Sequence, residues 1–178
     1  MQKYYKAEMD RLLRVTTRVI WLFFIVPPGF LLFAWYQALH PAAGGRPMPA
    51  YLAWLLPASA AFLALTAYIT RAMAPRGYAV NDIELVIDRA MRPITIPLRE
   101  IKEVKPLEDG VLMRSARLMG TSGFYGHYGL FWSKKTGKFR AYATRMDRLV
   151  AVRTEKTLFV LSPENPEDFA AALRGLLR

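Results

Sequence analysis

Cysteine is absent from this chain of 178 residues. That excludes a disulfide scaffold, a thiolate metal site and thiol redox chemistry. No Gly-x-Ser-x-Gly elbow and no His-Glu-x-x-His pair occurs either, so the familiar hydrolase and metalloprotease arrangements are missing. The carboxylates, among them Asp82, Asp88, Glu103 and Asp147, are scattered through turns and strand faces, with no pair set for acid–base work. Acidic residues are scarce: 14 Asp plus Glu stand against 25 Lys plus Arg, giving a formal charge of +11. An apolar content of 53% excludes a disordered chain. No catalytic residue, metal site or cofactor site is expected.

Charge is also missing locally, and there the absence is informative. Val19–Leu39 is a run of 21 residues without charge, and Pro47–Thr70 is a second of 24. A bilayer core is about 30 Å thick and needs roughly 20 apolar helical residues to cross. Both runs pass, with Trp21, Trp35, Tyr36, Tyr51 and Tyr68 near their ends, where amphipathic rings favour the interface. Two buried helices of a soluble protein are the alternative, but nothing else in the chain is large enough to enclose them. A cleaved signal peptide is a second alternative. The first run is too long for its apolar core and begins after 18 residues. Neither run holds an ionisable residue, so an ion or proton pathway is not indicated. Pro27, Pro28 and Pro57 lie near the centres and read as kinks in an anchor. Ala60 and Ala64 form a small-xxx-small pair able to pack two helices or two protomers.

The flanks set an expected orientation. Lys3, Lys6, Arg11, Arg14 and Arg18 precede the first run, the short connection at 40–46 holds one cation, and basic residues follow the second run. The positive-inside bias puts both termini in the cytoplasm of a multi-pass inner-membrane protein. The expected organisation is a basic segment at 1–18, spans at 19–39 and 47–70 joined by an external loop at 40–46, a linker at 71–76 and a cytoplasmic domain at 77–178.

In that domain short β-rich runs alternate with turn signals. Strands are expected near Tyr78–Asn81, Glu84–Arg89, Ile94–Leu98, Ile101–Pro106, Val111–Arg114, Tyr125–Ser133, Lys138–Thr144, Leu149–Thr154 and Thr157–Leu161. Thr136-Gly137 and Glu155-Lys156 mark hairpin turns. The period then changes. Asn165 can cap a helix and Pro166 suits its first position. Phe169, Ala172, Leu173, Leu176 and Leu177 recur as one apolar face. Such a helix needs an apolar surface to cover, and a small barrel supplies one.

Strands closed by one C-terminal helix resemble a pleckstrin-homology-like barrel. In detail the chain resembles a bacterial PH domain family that often follows paired transmembrane helices. The residues carrying the likeness are Gly120, Gly123-Phe124-Tyr125-Gly126-His127-Tyr128-Gly129, Gly137-Lys138-Phe139-Arg140-Ala141-Tyr142-Ala143-Thr144, Leu149-Val150-Ala151-Val152-Arg153-Thr154 and Phe159-Val160-Leu161-Ser162-Pro163-Glu164. The resemblance implies an α+β membrane protein: an N-terminal transmembrane hairpin, then a PH-like small β-barrel capped by a C-terminal helix. It implies membrane-proximal binding or assembly rather than a reaction. The basic pattern of phosphoinositide-reading PH domains has no clean match here.

Four features are candidates for function. Gly120, Gly123, Gly126 and Gly129 read as a phosphate cradle or, more simply, as bulges and close strand crossings. Arg114, Arg117, Lys134, Lys135, Lys138 and Arg140 read as solvated turns, or as a contact for anionic headgroups or an acidic partner. Phe124, Tyr125, Tyr128, Phe131 and Trp132 form a dense aromatic run. Period two puts Tyr125, His127 and Phe131 on one face, a possible partner surface. His127 lacks a second histidine on its own side of the membrane. Nucleic-acid binding is disfavoured, because topology explains much of the basic charge. The expected role is a non-catalytic, membrane-anchored binding or scaffold protein that assembles with itself or with another membrane protein. The alternatives are a reader of anionic lipid headgroups and an accessory subunit of a membrane enzyme or transporter.

Overall fold

The structure, a computed structural model, describes residues 2–40, 49–108 and 110–177. It begins in a strand, β1 (Lys3–Lys6), before entering helix α1 (Arg11–Leu39). Asp10 caps α1, its carboxylate accepting from Leu13 N at 2.6 Å. Helix α2 (Ala50–Met73) returns alongside α1, and both helices run through their internal prolines. The external loop expected at 40–46 lies, apart from His40, outside the described residues, as does the expected start of the second span at 47–48.

Both helices are long and apolar enough to cross a membrane. Their large side chains face outward, with Phe23 69%, Phe62 69% and Trp54 80% exposed, so they are not core helices of this chain. They touch each other through the indole N–H of Trp35, which donates to the Ala53 carbonyl at 2.8 Å. Among the described residues of α2 the buried alanines are Ala60, Ala67 and Ala72, whereas Ala64 is exposed, so Ala60 and Ala64 do not form the expected buried pair.

The rest folds into two sheets and a helix. The first sheet has the order β1, β2 (Pro75–Val80), β3 (Glu84–Arg89), β4 (Ile94–Pro97), all antiparallel. The strands β5 (Ile101–Pro106), β6 (Ala116–Ser122), β7 (His127–Ser133), β8 (Gly137–Ala143), β9 (Val150–Thr154) and β10 (Leu158–Leu161) form the second, in the order β5-β9-β10-β8-β7-β6. β10 runs parallel to β8 and antiparallel to β9. The sheets face each other without closing into one ring, so the architecture is α+β and PH-like but the barrel is open.

Alternation explains the core. Val150, Val152, Phe159 and Leu161 point inward to meet Tyr78, Leu85, Ile87 and Ile96 of the first sheet. The intervening Ala151, Leu158 and Val160 join Phe131, Phe139 and Ala141 on the other face, which Leu107, Val111 and Leu112 cover. Helix α3 (Pro166–Leu176) closes the first core with Phe169, Ala170 and Leu173. The Asn165 side chain accepts from Asp168 N at 3.3 Å, as its capping position requires. Leu176, expected on the apolar face, is 38% exposed, and Ala170 takes its place.

Three departures from the sequence reading have physical causes. Val111–Arg114 is a turn and not a strand. Arg114 N bonds Gly110 O at 3.0 Å, and Leu112 drops into the core. Strand β6 was not expected, because its residues are almost all exposed and show no alternation. The expected linker at 71–76 shrinks to Ala74, with β2 starting at Pro75.

The N-terminal segment belongs to the domain. Lys3–Lys6 pairs with Gly77–Val80, and Tyr5 enters the core. Its hydroxyl donates to Asp168 at 2.7 Å, and its ring meets Phe169 edge-on at 5.1 Å. Thr144 Oγ1 donates to Glu8 O at 2.8 Å, and Glu164 N donates to Lys6 O at 3.0 Å. Behind them the fully buried Tyr78 hydroxyl donates to Tyr142 O at 2.6 Å and accepts from Ser162 N at 3.1 Å. Because β1 precedes the helical pair and β2 follows it, hydrogen bonding between them fixes both helix ends beside the same sheet.

Candidate functional site at the junction of helices and sheets

The β6–β7 turn is the point where the domain meets the helices. Thr17, Trp21 and Phe24 share one face of α1 at helical spacing. The Tyr125 N–H donates to Thr17 Oγ1 at 3.1 Å, and the Tyr125 hydroxyl accepts from Trp21 Nε1 at 2.8 Å. Phe124 stacks on Phe24, with centroids 5.2 Å apart and planes 5° from parallel. The Arg71 guanidinium lies 5.8 Å from the centre of the Tyr125 ring. Phe24 lies five residues inside the charge-free run, about 8 Å along the helix axis, so the turn reaches the apolar part of α1. The second helix is held as well. The Tyr128 hydroxyl donates to Thr70 O, and Met91 N donates to Ala72 O at 2.9 Å, which satisfies two carbonyls that the end of α2 leaves open.

Burial tunes the two titratable groups next to this turn. It raises the Tyr128 phenol above its ordinary range, against the opposing bond to Thr70. It lowers the His127 imidazole, against the opposing charge of Asp10. His127 Nδ1 lies 2.7 Å from Ser122 Oγ. Both groups are therefore neutral near neutral pH and serve as packing and hydrogen-bonding groups.

The three residues of the expected aromatic face separate. His127 and Phe131 are 3% and 2% exposed beneath the second sheet, while Tyr125, with φ of +60°, leaves the strand and turns to Trp21. They do not form one exposed surface. The true role of the run was hidden because the partner of Phe124 and Tyr125 lies about 100 residues away in sequence.

The glycines resolve by geometry. Gly120 and Gly129 sit directly opposite each other on β6 and β7, at φ of +109° and +123°. A Cβ on Gly120 would stand 2.1 Å from Tyr128 O. Close backbone approach, not a phosphate cradle, accounts for this pair.

All six candidate cations are exposed, but they fall into separate places. Arg114, Lys134 and Lys135 line a cavity of about 260 Å³ with Glu108. Lys135 holds the Glu108 carboxylate at 2.5 Å and keeps its pKa below the ordinary range. The β7–β8 hairpin that carries these lysines lies about 20 Å along β7 from the turn touching α1. Arg117 lies on the edge strand β6, on the face of Phe131. Lys138 and Arg140 sit on the opposite face, where Arg140 also lines a groove of about 510 Å³ next to the last turn of α2. Sequence reasoning missed Arg89 at this groove. Among the described residues, no group of three His, Cys, Asp or Glu side chains is placed to hold a metal ion.

Two facing sheets, a C-terminal helix and a pair of long apolar helices define the class as a PH-like domain joined to a helical hairpin. A family model described as bacterial PH domain matches residues 76–177, from β2 through α3, and the chain belongs to that family. No curated protein and no solved structure gives a significant match.

Proposed function

We propose that the chain is a non-catalytic, membrane-anchored binding or scaffold protein. In this reading α1 and α2 span the inner membrane, both termini are cytoplasmic, and the PH-like domain is held against the inner leaflet as an interaction module. The observation that carries it is the pairing of β1 with β2 across the helical pair. That pairing requires the start of α1 and the end of α2 to lie on the same side of any membrane the helical pair crosses. The seating of Phe124 and Tyr125 on α1 supports a fixed orientation. The lysines of the β7–β8 hairpin are then displayed away from the anchor, where they suit an acidic protein partner. The exposed edge of β6, with Leu118 51% and Met119 68% exposed, suits strand addition by a second chain.

The cysteine-free sequence makes the test direct. Single cysteines at Gly44 and Lys135 are probed in intact spheroplasts with a membrane-impermeant maleimide. Labelling at 44 alone before lysis, and at both positions after it, is the expected result. Labelling of 135 in intact spheroplasts overturns the orientation, and recovery of the chain in the soluble fraction overturns the anchor. For the scaffold role, the intact protein in mild detergent is expected to form a defined oligomer or complex. A monomer that purifies with nothing would remove it.

A further inference from the structure

The groove beside the last turn of α2 has a polarity that matches one kind of ligand. Its apolar wall is Ile69 and Met73 from α2 with Met119 from β6, and its floor includes Leu130 of β7. The β6–β7–β8 register places Met119 opposite Leu130 and Leu130 opposite Arg140, so one cross-strand row runs from apolar to basic. Arg89 enters from the end of β3 and lies over the Tyr142 ring at 5.4 Å. Its Nε and Nη2 donate to Arg92 O at 3.1 and 2.5 Å, which fixes the guanidinium. Arg140 is exposed and has no hydrogen-bond or ion-pair partner among the described residues. No carboxylate lines this groove. Beyond Arg140 a second groove continues past Lys138 and Lys156, with Glu100 as its one acid.

Resting on the membrane-anchored reading above, we propose that this groove binds one anionic phospholipid of the adjacent leaflet. The phosphate lies between Arg89 and Arg140, and the upper acyl chain lies against Ile69, Met73 and Met119. Position and charge both favour this occupant. Thr70 lines the groove and ends the charge-free run, which in the membrane-anchored reading puts the groove at the bilayer interface. A guanidinium fork matches phosphate oxygens in two-point geometry, while an apolar wall offers nothing to a free phosphate ion. The site lies outside the β7–β8 hairpin, so the lysines there are a built-in control.

Full-length protein in a neutral detergent is titrated with phosphatidylglycerol or phosphatidylcholine and observed by native mass spectrometry. One phosphatidylglycerol per chain is expected, at least fivefold tighter than phosphatidylcholine. Arg140→Gln should remove most of that preference, as should Leu130→Trp, which fills the groove without changing charge. Lys134→Gln with Lys135→Gln should leave it intact. Equal retention of the two lipids overturns the proposal, as does an unaffected Arg140→Gln, or equal loss in the lysine control, which would mean general charge attraction. Displacement by excess inorganic phosphate with no dependence on the acyl chain also overturns it, since the site would then be one for the free ion. Thermal unfolding of each variant separates lost binding from lost folding. The maleimide experiment distinguishes the two readings: normal topology without selective lipid binding removes the groove alone, whereas abnormal topology removes the anchor on which it rests.

Discussion

Phe124 of the β6–β7 turn and Phe24 of the first long helix lie face to face, their rings 5.2 Å apart and 5° from parallel. This contact, with the Trp21–Tyr125 hydrogen bond beside it, turns the helical pair and the sheet domain into one unit. The domain does not hang on a tether, because only Ala74 separates α2 from β2.

Removing that contact should loosen the unit. Phe124 is 5% exposed, so Phe124→Ala is expected to cost roughly 3 kcal/mol. Tyr125→Phe removes only the hydroxyl that accepts from Trp21 and should cost about 1 kcal/mol. Thermal unfolding of the intact protein in one detergent ranks the two. Parity with the parent in both would mean that the turn does not dock on α1.

The N-terminal strand should be required for a stable domain. A fragment of residues 75–178 loses β1, Tyr5 and the Glu8 and Lys6 carbonyl acceptors, whereas residues 2–9 joined to it by a flexible linker restore them. The fused form is expected to unfold cooperatively at a higher temperature than the fragment. In the intact chain Tyr5→Ala should cost on the order of 3 kcal/mol. Equal stability of fragment and fusion would make β1 incidental.

Two glycine positions should respond very differently to alanine. At Gly120 the new Cβ meets the Tyr128 carbonyl oxygen at 2.1 Å, whereas at Gly137 it finds open space. Gly137→Ala should cost about 1–2 kcal/mol, the left-handed backbone penalty alone. Gly120→Ala must also separate β6 from β7, and protease-sensitive protein is expected. Limited proteolysis of both variants reads the difference, and a well-folded Gly120→Ala protein would contradict the close approach.

The acid side of the stability profile should depend on His127. Burial holds its folded-state pKa below the unfolded value of 6.5. Above that value neither state carries the proton, and the contribution is fully present. As the pH falls below 6.5, the unfolded chain takes up the proton first, so stability declines until the folded-state pKa is passed. The unfolding midpoint is therefore expected to be lower at about pH 5.5 than at about pH 7.5. His127→Gln should flatten that slope. A variant profile as steep as the parent's would place the sensitivity in another group.

Much of the architecture was legible in the order of residues. The long charge-free runs marked both helices, because a helix with apolar side chains on every face suits a membrane span or the interior of a larger body. Asn165-Pro166 and the spacing of Phe169 and Leu173 marked α3. Alternation marked strands such as β3, and Thr136-Gly137 marked the β7–β8 hairpin. These signals are local: each depends on backbone geometry and on which side of one element meets the core.

What depended on pairing across long separations had to come from the tertiary structure. Lys3-Tyr4-Tyr5-Lys6 is too short to identify itself as a strand, and it becomes one only because Gly77–Val80 offers a free edge. β6 carries no burial pattern and is defined by its partner β7. The aromatic run announced its chemistry but not its partner, since Trp21 and Phe24 lie on another element. Arg89 and Arg140, 51 residues apart, share a groove only because β3 and β8 belong to sheets that face each other at the end of α2. Sequence alone determined most of the elements and the two long apolar helices, because periodicity and charge-free length are properties of neighbouring residues. Tertiary structure decided how the domain sits on those helices and which cations share a groove, because those depend on contacts between segments the chain brings together only when folded.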